Sequence, residues 1–197
     1  MNEQILIIYC HPYDHSFNHA VLTTVEHNLQ EHQQSFRTID LYTDNFDPRY
    51  STHELSLYQA GQTVDPLVKD YLTSIQRASA IIFITPVWWN SIPGMLKGFI
   101  DKVMKEGPGL SHTVTRTGIH GELSNIKHCY VLTTSTSPTW YLRLWMGNAV
   151  QKIFVNKTLR QLGFRDRHWQ NFGGITHSTA QRRQRYLNRL VHQQFKS

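Results

Sequence analysis

The chain is short of cysteine, of long apolar runs and, toward its C-terminal end, of acidic charge. Cys10 and Cys129 are the only two cysteines among 197 residues, too few for the disulfide framework of a small secreted domain. No apolar run approaches the roughly 20 residues that span a bilayer, and Met1-Asn2-Glu3-Gln4 lacks the positive start of a secretory signal. The expected address is therefore the cytoplasm. Residues 143–197 hold one acidic side chain, Asp166, against eleven lysines and arginines, whereas residues 1–142 carry thirteen acidic and nine basic. The formal net charge of +6 thus hides an acidic front and a basic end. A basic end suits an anionic ligand, an acidic surface, or simply a solvated helix face.

Several catalytic signatures are also missing. There is no G-x-G-x-x-G fingerprint, no phosphate-binding P-loop, no G-x-S-x-G elbow and no cysteine pair at zinc spacing. His11, His15 and His19 recur every fourth position, but Pro12 interrupts any helix that would put them on one face. A metal site is not expected, and no nucleic-acid-reading module is recognisable, so a nucleic-acid partner is not expected either. What is present suffices for a core: 40% hydrophobic against 17% charged residues excludes a disordered chain. The length fits one domain spanning residues 1–197.

Gln4 to Cys10 is an apolar run of strand length, closed by His11-Pro12. Val21, Leu22, Val25 and Leu29 mark a helix within 18–34, and Phe36 to Leu41 reads as a second strand. A short helix is expected within 53–60. Asp65 and Pro66 open a further helix to Arg77 as cap and first-turn proline. Ala80 to Thr85 repeats the first strand and also ends in proline, Pro86. Helix is expected over 92–104, no clear periodicity over 107–126, strand over 129–134 and helix within 140–162. A fifth strand is expected to begin at Gly163-Phe164, and a closing helix to run over 180–195. This alternation predicts an α/β fold: a flavodoxin-like, doubly wound, five-stranded parallel sheet with helices on both faces.

Ligands of such sheets bind beyond the carboxyl ends of the strands. Three loops fall there. His11-Pro12-Tyr13-Asp14-His15-Ser16-Phe17-Asn18 precedes a helix, whose N-terminal N–H groups suit a phosphate; Ser16 or Asn18 could equally be a plain cap. Pro86-Val87-Trp88-Trp89-Asn90 offers planar indoles and backbone groups for a flat heteroaromatic ring, although either Trp alone could pack beneath the next helix. Thr133-Thr134-Ser135-Thr136 supplies hydroxyls and N–H groups. Cys10, beside the first loop, is either a reactive thiol or a small buried hydrophobe.

The stretches ILIIYCHPYDHSFN (5–18) and ITPVWWNSIPGMLKGFIDKV (84–103), supported by Tyr130 to Thr134 and Gly163-Phe164, resemble the flavodoxin-like NAD(P)H:quinone oxidoreductase family. That family includes the ancillary flavoproteins of bacterial potassium-efflux systems. The resemblance runs through most of the chain, weakly over 42–62 and 107–126. It implies a tightly bound flavin, FMN or FAD. His11, His15, Ser16, Phe17 and Asn18 would hold its phosphate and ribityl chain. Pro86, Val87, Trp88, Trp89 and Asn90 would line its ring, and Thr133, Thr134, Ser135 and Thr136 its pyrimidine side. NADPH or NADH would pass hydride to the flavin N5, and a quinone or similar small acceptor would then take its place, by a ping-pong mechanism. A homodimer with sites at the interface is implied as well.

Two departures stand out. The family usually has two glycines where Ser135 and Thr136 stand, and the Tyr–His pair that follows maps to Tyr141 and Gly147. Tyr141 is the candidate catalytic residue and the His position is empty. The rival reading is a flavin-loaded regulatory subunit docking on a transporter through the basic C-terminal region. Arg182, Arg183, Arg185 and Arg189 share one expected helix there but wrap around it, which favours a solvated face.

Overall fold

Ile5, Leu6, Ile7, Ile8 and Tyr9 are apolar without alternation because the strand they form has no solvent face. In the computed structural model, which describes residues 4–197, β1 (Gln4–Tyr9) lies between two neighbours with these five side chains buried. Its neighbours are β2 (Phe36–Asp40) and β3 (Ala78–Pro86), both parallel to it. A small hairpin of β4 (His112–Thr115) and β5 (Gly118–Gly121) stands apart. β6 (His128–Ser135) pairs with β3, and β7 (Arg167–Gly173) closes the far edge. The sheet order β2-β1-β3-β6-β7, all parallel, is the doubly wound order expected.

Odd residues of β1 face one helical layer and even residues the other. Ile5, Ile7 and Tyr9 pack with α1 (Phe17–Glu31) and α6 (Ala180–Val191). Leu6 and Ile8 pack with α3 (Pro66–Arg77), α4 (Gly94–Val103) and a helix over Val150–Leu159 wound with the wider π-helical repeat. Two short helices, α2 (Thr52–Ser56) and α5 (Thr139–Leu144), sit in connections. None of the described helices is long and apolar enough to cross a membrane.

The expected elements hold with four corrections. Residues 107–126 are not irregular: they carry the β4–β5 hairpin, joined by Arg116-Thr117 and closed by the Thr115–Gly118 pair. The fifth strand does not start at Gly163-Phe164. Gly163, at φ 97°, ends the preceding helix, donating to Arg160 O while Phe164 donates to Leu159 O, and strand pairing begins three residues later. The helix expected within 140–162 is two helices, broken at Gly147 and Asn148, both with positive φ. The closing helix stops at Val191, and Phe195 returns to pack on Tyr130.

Candidate functional site

The three loops meet at the C-terminal end of β1, β3 and β6, and hydrogen bonds tie them together. Cys10 N–H donates to Ile84 O at 3.0 Å and Val87 N–H to Thr134 O at 2.7 Å, so the strands remain registered past their last paired residues. Asn18 Nδ2 donates to Thr134 Oγ1 at 2.8 Å, which fastens the first turn of α1 to the end of β6.

In the first loop Ser16 is the N-cap of α1, its Oγ accepting from His19 N–H at 3.1 Å. The N–H groups of Phe17 and Asn18 remain without intrahelical acceptors, and the first turn contains no carboxylate. Tyr13 N–H donates to His11 Nδ1 at 3.1 Å. Burial holds the His11 imidazole below its ordinary range. His11 is thus neutral at pH 7 with its proton on Nε2, a donor available to the site. His15 is exposed, its ring edge-on to Tyr13 at 5.4 Å. The Phe17 ring is a packing group against Phe172 at 4.8 Å, leaving only its backbone to the loop.

The second loop is a tight turn. Trp88 and Ser91 exchange two backbone hydrogen bonds of 3.0 Å, and Trp89 and Asn90 both sit in the left-handed region, at φ 49° and 64°. That is the type I′ geometry that glycine and asparagine favour and tryptophan does not. The turn leaves Trp89 97% exposed, while Trp88 stands 6.1 Å from the His11 ring. Pro86 is buried and Val87 half-buried beneath them. One indole therefore leans over the first loop and the other projects outward.

In the third loop the four side chains diverge. Thr133 Oγ1 turns toward β7, accepting from Trp169 Nε1 at 2.9 Å and lying 2.8 Å from Asn171 Oδ1. Thr134 takes the Asn18 bond. Ser135 Oγ donates to Ser137 O and accepts from Asn171 Nδ2 at 2.9 Å. Thr136 is exposed. Asn171 also donates to Thr139 Oγ1 at 2.9 Å, so it braces both the third loop and the start of α5. Gly173, beside it, is close to α5: a Cβ there would meet Thr139 N at 2.4 Å. Tyr141 lies on α5, 38% exposed, edge-on to Trp140.

Sequence reasoning passed over Asn171 and Trp169, whose roles depend on a strand expected to start a few residues too early. It also passed over Tyr9 and His19. Their rings meet edge-on at 6.1 Å, and Tyr9 Oη, His19 Nδ1 and Asn18 Oδ1 are buried polar atoms without a protein partner. Burial pushes the Tyr9 phenol up to about 12. Cys10 is buried, its thiol also pushed up to about 12, which is the inert reading of that cysteine.

A parallel 2-1-3-4-5 sheet with a capped helix, a strained aromatic turn and a hydroxyl-rich loop at one end matches a known pattern along nearly all of its length. The model of the flavodoxin-like fold family covers residues 3–193. The chain belongs to that family. It is similar to an uncharacterized NAD(P)H oxidoreductase of Haemophilus influenzae, 26% identical over 171 residues, 86% of this chain and 83% of that one. It is also similar to a rat ribosyldihydronicotinamide dehydrogenase (quinone), 28% identical over 121 residues, a match to about half of each chain (53% and 52%). In fold it is similar to the NAD(P)H:quinone oxidoreductase from Methanothermobacter marburgensis, with a TM-score of 0.82 at 23% identity over 98% of this chain and 95% of that one. It likewise resembles in fold an FMN-dependent NADH-azoreductase from Bacillus anthracis in complex with FMN, TM-score 0.77 at 18% identity over 96% and 97%.

The groups at this end of the sheet fit a ligand with a phosphate and a polyol chain, such as FMN. Unsatisfied N–H groups with no acidic neighbour in the turn suit a phosphate. Buried polar atoms without protein partners, Asn18 Oδ1 among them, suit the hydroxyls of a ribityl chain.

Proposed function

We infer that the protein is a flavin-dependent NAD(P)H oxidoreductase with FMN held across the three loops. The single observation that carries this reading is the convergence of Ser16–Asn18, Trp88–Asn90 and Thr134–Ser135 on one end of the sheet, cross-tied by the Asn18–Thr134 bond. The relatives named NAD(P)H oxidoreductase and quinone dehydrogenase support it, and the FMN-bound azoreductase fold supports FMN over FAD.

In this reading each loop takes one part of the flavin. Phe17 and Asn18 N–H groups, with His15 and the Nε2–H of neutral His11, take the phosphate. Pro86, Val87 and Trp88 line the ring. Thr134, Ser135, Thr136 and the backbone of Thr133 lie along its pyrimidine side. The flavin, when bound, supplies the two-electron chemistry at N5. In this reading the chain contributes position and fixed donors. On the same reading Tyr141, half-exposed on α5, donates its hydroxyl to charge that develops on reduction. One open face accommodates the nicotinamide and the acceptor in turn, which gives ping-pong kinetics with a quinone or similar acceptor.

Trp89, Trp140, Leu144 and Trp145 are 97%, 59%, 76% and 72% exposed at the same end of the sheet. That much apolar surface around a slot suits a second copy of the chain closing over it. The test is anaerobic. NADPH added to the flavin-loaded protein should remove the visible flavin absorption, and a benzoquinone should restore it. Absorption unchanged by either dinucleotide would refute the reading.

A further inference from the structure

A cavity of about 990 Å³ runs along the open edge of β7 between α5 and α6. Its volume lies at the upper end of small-molecule sites. Arg143, Arg182, Arg185 and Arg189 line it, and no carboxylate does. Among the described residues none of the four joins an ion pair. The four arginines of α6 do not form a single stripe. Arg182, Arg185 and Arg189 are spaced i, i+3, i+7 and share one face of α6, whereas Arg183 turns away to Ser178.

Three of the guanidiniums rest on aromatic faces: Arg143 on Trp169 at 5.3 Å, Arg182 on Phe172 at 4.5 Å and Arg189 on Tyr186 at 5.5 Å. Stacking of this kind limits their freedom and lowers the cost of ordering them around an anion. The cavity adjoins the third loop, because Asn171 and Thr139 line it while Asn171 also holds Ser135. Arg182 sits at that end, donating to Gly173 O at 2.8 Å. Arg185 and Arg189 follow at roughly 5 and 10 Å along the helix.

We propose that this groove binds the 2′-phosphorylated adenosine end of NADPH, with Arg185 and Arg189 on the 2′-phosphate. The proposal rests on the reading of the adjoining site as one that oxidises a nicotinamide, and it names which dinucleotide that site prefers. A nicotinamide over the slot leaves the rest of the dinucleotide to cross α5 beside Arg143 and enter the groove. A surface without carboxylates attracts the extra dianion that NADH lacks. Arg182 is tied to the backbone, so Arg185 and Arg189, exposed and free of hydrogen-bond duties, are the discriminating pair.

Calorimetric titration of the purified protein with 2′,5′-ADP and with 5′-ADP tests this at physiological salt. The first should bind at least about tenfold more tightly. The double variant Arg185→Gln/Arg189→Gln should erase that difference and lower the NADPH-to-NADH ratio of kcat/KM by about tenfold or more. Lys152→Gln/Lys157→Gln, which removes the same charge from another helix, should preserve the difference. Equal affinity for the two nucleotides in the unaltered protein, or equal loss in both double variants, would overturn the proposal. The visible spectrum of the same sample reports flavin separately. Selective nucleotide binding without flavin uptake refutes the site reading alone, and flavin uptake without selectivity refutes the groove alone.

Discussion

Asn18 Nδ2 donates to Thr134 Oγ1 at 2.8 Å, across 116 positions of sequence and in a fully buried setting. One amide thereby fixes the start of α1 against the end of β6, while its Oδ1 stays without a protein partner. A buried amide that is half satisfied costs stability unless something else meets its free oxygen. The bound flavin is that partner in this account.

Replacing Asn18 with Leu tests the link. The variant should lose about 1–3 kcal/mol of stability without ligand, read by urea unfolding. Its FMN dissociation constant should rise by more than that stability change alone accounts for. Unaltered FMN affinity would place Asn18 outside the site.

The turn at Trp89 predicts opposite effects on stability and function. A left-handed conformation costs a residue with a Cβ about 1 kcal/mol, and Trp89 adopts it at φ 49° while almost wholly exposed. Trp89→Gly should therefore raise the melting temperature yet lower turnover or dimer affinity. A loss of stability in the variant would show that the indole packs against something in the folded protein.

Gly173 reports on α5. A Cβ would overlap Thr139 N at 2.4 Å and Thr139 Oγ1 at 2.7 Å, so Gly173→Ala must displace the helix that carries Tyr141. Flavin content should remain while the rate of flavin reduction falls. Tyr141→Phe should lower that rate about tenfold without moving the helix, the scale of one lost hydrogen bond in the transition state. Equal rates in the unaltered and Phe proteins would remove Tyr141 from the mechanism.

The acid stability of the fold should depend on Glu54. Its carboxylate is buried, which alone would raise its pKa. Bonds from Thr63 Oγ1 and Val64 N–H, and the Lys105 ammonium at 3.4 Å, outweigh burial and bring it down to about 2 from the ordinary 4.5. A depressed folded pKa means the unfolded chain binds the proton more readily. The contribution, about 3 kcal/mol, is present above pH 4.5 and lost as pH falls toward 2. Glu54→Gln leaves Lys105 buried without a counter-charge and should cost about 3–5 kcal/mol at pH 7. The gap to the unaltered protein should shrink through that acid window. A gap that stays constant from pH 7 to pH 3 would assign the loss to packing.

Most of the sheet was legible because β1, β3 and β6 are buried on both faces and carry unbroken apolar runs. β7 was not, since Arg167, His168, Gln170 and Asn171 are polar residues on an edge strand that pairs with β6 alone. That one misplacement hid Asn171 and Trp169, and with them the brace on the third loop. The loops themselves were legible, as strand ends marked by Pro12 and Pro86. What each side chain does there was not. Thr133 turns inward and Phe17 packs sideways because distant residues, Trp169 and Phe172, supply better partners than the loop does.

Identifying what the purified protein carries tests the central claim most directly. The protein should be yellow, and denaturation should release FMN in amounts equimolar with the chain. A colourless protein that neither FMN nor FAD reconstitutes would contradict the flavin site and everything built on it.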